Sequence, residues 1–132
     1  MTEILFRGKT SYGEWVEGFM YLQHFPLEFR DDFYIRCYDT DYLVIPETVG
    51  QFTGLTDKNG IRIFEGDICR FKRFNDIYIG KIVFNVKTAS FIMWYQPIVG
   101  AYGEKATQKM LLSVCDNIEV VGNIHGNPEL ME

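Results

Sequence analysis

At 132 residues the chain is long enough for one domain, or two very small ones, with a real buried core. Hydrophobic residues make up 47% of it and charged residues 23%, which argues against a disordered polymer. The net charge of −5 argues against a general electrostatic grip on nucleic acid, which works by neutralising many phosphates with Lys and Arg. No apolar run approaches the ~18 residues of a membrane helix, and "MTEILFRGK" lacks a signal-peptide pattern, so the expected location is the cytoplasm.

In chain order, "ILFRGKTSYGEWVEGFMYL" reads as two extended runs around a polar turn at Lys9 to Gly13, a hairpin in which Trp15, Phe19 and Tyr21 supply large rings. The charges and Pro26 between Gln23 and Asp32 predict an exposed loop. Strand-like sequence resumes at "FYIRCYDTDYLVI", with "DTD" at 39 to 41 as its turn, and Pro46 stops it. "DKNG" at 57 to 60 is a strong turn signal: Asp57 can accept bonds from its own backbone, and Asn59 and Gly60 tolerate positive φ. "FEGD" predicts a second reversal before a strand from Ile68. "DIYIGKIVFNV" and "ASFIMWYQPIV" form another β pair turning near Lys87 to Ala89. "GAYGEKAT" reads as a loop. Residues 104–114 admit either a short amphipathic helix or a strand. The tail predicts a strand through Ile118 to Ile124, then one helical turn opened by Asn127 and Pro128. The expected organisation is a single domain over 1–132, with an N-terminal β region at 1–45 and a barrel-like β region at 46–132.

With "GEWVEGFM", "IPETVGQFTGLTDKNGIRIFEGDI" and "VVGNIHGNPEL" on view, the sequence resembles the YopX family of small proteins encoded by bacteriophages and prophages. The resemblance implies an accessory phage product that self-assembles, and it supplies no catalytic residue. The C-terminal order of tight turn, strand, hairpin and closing strand looks like an SH3-like small barrel, so the expected fold is mainly β, with an N-terminal hairpin region, that barrel and at most one or two short helices.

Most candidate chemistry has a plainer reading. The glycines at 50, 54, 60 and 66 match neither a P-loop nor a dinucleotide fingerprint and read as turn formers. Asp57 and Asn59 begin like a calcium loop, but Ile61 stands where the third ligand belongs. His24 and His125 have no partner at a triad or metal-ligand spacing and read as loop residues. Glu65 and Asp67 flank a tight turn, as solvent-facing turn formers do. Cys37, Cys69 and Cys115 are odd in number and lack C-x-x-C spacing, so neither a disulfide framework nor a zinc site is expected. No enzyme activity, cofactor or metal is therefore expected.

Two binding surfaces remain. The first is an interface built from surplus aromatic residues, for which Phe25, Phe29, Tyr95 and Tyr102 are the candidates, with a homo-oligomer as the expected assembly. The second is a nucleic-acid patch in "CRFKRF", where Arg70, Lys72 and Arg73 interleave with Phe71 and Phe74 and could be joined by Arg7 and Lys9. The alternation of faces along a strand fits a half-buried strand with Phe71 inward equally well, which with the acidic net charge disfavours nucleic acid.

Overall fold

The computed structural model describes residues 4–73, 76–97, 108–111 and 117–131. The chain divides into two compact units, residues 1–54 and 55–132. The first reaches residue 54 because a later strand returns to pair with the N-terminal one.

In the first unit, β1 (Phe6–Lys9) pairs antiparallel with β2 (Trp15–Phe25), Phe6 opposite Gly18. β2 then changes partner, and from Phe19 to Phe25 it pairs with β3 (Arg30–Cys37). β4 (Thr40–Val44) completes the meander, and β5 (Gly50–Thr56) returns to flank β1. The end of β4 folds back to the end of β1: Ile45 N–H donates to the Lys9 carbonyl at 2.8 Å, and Thr10 bridges Val44. Thr48 ties this corner by accepting from Lys9 N–H at 2.9 Å. Ile35, Val44 and Phe52 are its buried apolar residues.

Gly18 sits where β2 leaves β1 for β3, and a Cβ there would lie 2.1 Å from the Arg36 carbonyl oxygen. Only glycine allows the two backbones that approach.

Two expectations are corrected in this unit. The segment from Gln23 to Asp32 is strand rather than loop, because His24 pairs with Asp31 and Phe25 with Arg30 across the ladder. A single 3-10 turn over Pro26–Glu28 reverses the chain. The charged side chains that suggested a loop pair with one another, His24 Nδ1 with Asp31 at 2.5 Å and Arg30 with both Glu28 and Asp32. The next turn falls at Tyr38 and Asp39, since Cys37 pairs directly with Thr40.

In the second unit, β6 (Arg62–Phe64) follows the "DKNG" turn, and β7 (Asp67–Arg73), β8 (Asp76–Asn85), β9 (Ser90–Pro97), β10 (Gln108–Leu111) and β11 (Glu119–Asn123) form a five-stranded antiparallel sheet in the order β10-β9-β8-β7-β11. Among the described residues no pairing joins β10 to β11, so the sheet is not closed into a complete barrel. Its core gathers Ile63, Cys69, Phe71, Ile82, Met93, Tyr95 and Ile118. Residues 108–111, open to either reading in the sequence, are strand. Pro128–Met131 form the short helical turn expected behind Asn127.

Asp57 anchors the "DKNG" turn. Its Oδ1 accepts from Asn59 N–H at 2.8 Å and Ile61 N–H at 2.9 Å, and its Oδ2 accepts from Val120 N–H at 3.0 Å. Gly60 takes φ +80° to complete the reversal. Burial alone would push this carboxyl up, but the three backbone donors and neighbouring Lys58 outweigh it and hold Asp57 below the ordinary carboxylate range.

Candidate functional site

The residues expected to act at a surface meet different fates. Tyr95 is corrected: only 5% exposed, it packs edge-on against Phe71 and Tyr78 with ring centroids 5.2 and 5.3 Å away. The alternation of β9 sends its side chain to the same face as Met93, into the core. Tyr102 lies outside the described residues.

Phe71 is buried, as the half-buried strand reading requires, and Lys72 is exposed. Arg70 already donates to Glu119 at 2.7 Å, with Lys58 of the same carboxylate 3.5 Å away. Those two cations hold Glu119 below the ordinary carboxylate range. The Arg73 side chain and Phe74 lie outside what is described. Arg7 stacks over the Trp15 ring at 5.0 Å, and Lys9 stands at the closed corner of the first unit. His24 is corrected from loop to strand, where it pairs with Asp31, and His125 is exposed. Among the described residues no group of three or more His, Cys, Asp and Glu could hold a metal ion, and no helix is long and apolar enough to cross a membrane.

Phe25 and Phe29 do lie together, at the tip of the β2–β3 hairpin. Phe25 is half-buried under the Arg30 guanidinium, 4.6 Å from its ring centroid. Phe29 follows the 3-10 turn with φ +51° and is 95% exposed. Left-handed backbone costs an L-residue roughly 1–2 kcal/mol, and a bulky ring does nothing to offset it here.

Register shows how far the aromatic surface runs, which residue types alone could not. Because β2 and β3 are paired Phe19 to Arg36, Tyr21 to Tyr34 and Phe25 to Arg30, those side chains share one face of the arm. Phe19 is 70% exposed on it. Tyr21 stacks on Tyr34 at 5.2 Å and 13°, and Leu43 of β4 is exposed beside Tyr34. Partial desolvation, then the hydrogen bond to Asp41, raises the Tyr21 phenol above its ordinary value. Asp41 also accepts from Arg36 at 3.2 Å.

In the second unit an open depression of about 500 Å³ along β8 and β9 is lined by Lys81, Lys87, Phe84 and Trp94 among others.

The fold and surface together define a predominantly β protein with two antiparallel sheets and an exposed aromatic arm. The profile of the YopX protein family matches residues 9–132, and the chain belongs to that family. It is also similar to the crystal structure of protein EF1440 from Enterococcus faecalis, at 24% identity and a TM-score of 0.48 over 100% of both chains. Among curated proteins none matches the sequence.

Proposed function

We propose that this chain is a non-enzymatic phage or prophage accessory protein of the host cytoplasm that works by binding and assembles with copies of itself. The observation behind this reading is the β2–β3 arm, which holds Phe19, Leu27 and Phe29 in solvent, Phe29 in a backbone conformation a phenylalanine disfavours. In this proposal the second unit is an SH3-like barrel. Engagement of Arg70 by Glu119 weighs against nucleic acid as the partner.

Solution mass by light scattering, across protein concentration and at low and high salt, tests the reading when the ratio of absorbance at 260 and 280 nm is recorded with it. The expected result is a defined oligomer that salt leaves intact and that carries no nucleic acid. A monomer at every concentration, or a species holding nucleic acid until salt strips it, overturns the proposal.

A further inference from the structure

The arm has an edge as well as a face. β2 loses β1 at Gly18, so from Phe19 to Phe25 it has β3 on one side and, among the described residues, no strand on the other. That stretch, "FMYLQHF", has no Pro, Lys, Arg, Asp or Glu, the residues by which exposed edges ordinarily resist pairing.

The alternation of antiparallel bonding fixes which residues face outward. Thr10 N–H donates to the Glu14 carbonyl at 2.8 Å, making that a bonded pair, so Val16 and Gly18 direct their backbone groups to β1. The two-residue turn closing Cys37 onto Thr40 assigns Phe33 and Ile35 to β4, leaving Asp32, Tyr34 and Arg36 to bond β2. Their partners Gln23, Tyr21 and Phe19 therefore point inward. Met20, Leu22 and His24 present N–H and C=O on the open side. Both ends of the strand give the same answer.

We infer that two copies join by antiparallel pairing of these edges about a two-fold axis at Leu22, so that the arms form one continuous four-stranded ribbon. This rests on the self-association reading and names its geometry. The axis at Leu22 sets Leu22 opposite the partner's Leu22 and Met20 opposite the partner's His24, so all three outward residues of each copy are satisfied. An axis at Tyr21 would face His24 with the partner's Gly18, whose groups already bond β1. An axis at Gln23 would face Met20 with the partner's Pro26, which has no N–H to give.

On the aromatic face the Leu22 register sets Phe19 across from the partner's Phe25, and on the other face it joins the two Leu22 side chains, each 53% exposed alone. From the exposed fractions of Phe19, Tyr21 and Leu22 and the ~150–250 Å² that a large ring buries, with Gln23 and His24 beside them, the pair covers on the order of 1,000 Å². That is the lower bound for a specific interface, so the dimer should be concentration-dependent rather than obligate.

Leu22→Cys and Leu22→Pro in the full chain test the register. Across a bonded pair the Cα atoms lie about 5.5 Å apart, within disulfide span, so L22C should form a cross-linked dimer under oxidised glutathione while wild type, with the same three native cysteines, does not. L22P removes an N–H that the folded monomer does not use and should weaken dimerisation at least tenfold with the β circular dichroism retained. A dimer that L22P leaves undiminished and L22C fails to cross-link overturns the edge pairing while self-association stands. Wild type monomeric throughout, with no L22C cross-link, overturns both. Where L22P fails to fold, the cross-link decides.

Discussion

Replacing Asp57 with Ala removes the acceptor for Asn59, Ile61 and Val120 N–H at once. Hydrogen bonds to a charged group contribute about 1.5–3 kcal/mol each, but some of that offsets the cost of burying the carboxylate, which is only 6% exposed. A net loss of about 3–5 kcal/mol follows, a large share of the roughly 5–15 kcal/mol that holds a domain together. The local turn alone does not account for it, because Val120 lies in β11 and its bond ties the "DKNG" turn to the far end of the sequence. Urea unfolding at neutral pH, followed by circular dichroism, measures the loss as a lower midpoint with an unchanged slope. The pH dependence provides an independent readout. A carboxyl held below its ordinary value stabilises the fold fully above the unfolded pKa, and the contribution disappears as pH falls through the lower folded value. Wild type should therefore lose stability on the acid side of the ordinary carboxylate range more steeply than D57A. A loss under about 1 kcal/mol, or identical acid profiles, would refute the role given to this carboxylate.

Gly18→Ala should cost about 3 kcal/mol or more in urea unfolding, since the added Cβ meets a backbone carbonyl that cannot rotate away. Phe29→Asn should stabilise the monomer by up to about 1 kcal/mol, because Asn tolerates positive φ, while lowering the oligomer fraction in light scattering; equal assembly in both proteins would remove Phe29 from the interface. Glu119→Gln, which weakens a partly exposed ion pair, should leave the thermal unfolding midpoint nearly unchanged, while a clear drop would mean the Arg70 contact is structural.

The "DKNG" and "FEGD" reversals and the β8–β9 pair were legible because turn chemistry and period-two patterning are local signals. The tip of the β2–β3 hairpin was not. Its charges look like a loop until His24 is seen to face Asp31, and Phe25 to face Arg30, across the ladder, which requires the register. Tyr95 misled for a related reason: a tyrosine in a strand fits either face, and only pairing with Gly80 on β8 places its ring beside Phe71. Phe25 and Phe29 stood out from composition alone, whereas Phe19 and the outward edge of Met20, Leu22 and His24 could be found only once β2 was known to exchange partners at Gly18.

That exchange also orders the folding of the first unit. The β2–β3–β4 meander is made of sequence neighbours, so its loops close at little entropic cost, and it emerges from the ribosome before the return strand exists. Phe6 must wait for Gln51, and Lys9 for Thr48. The edge of β2 is thus formed early and left bare while β1 is still being secured. A nascent chain meeting another copy can pair through the arm before its own unit is closed, which makes the rate of that closure, as much as final stability, a control on how cleanly this protein assembles.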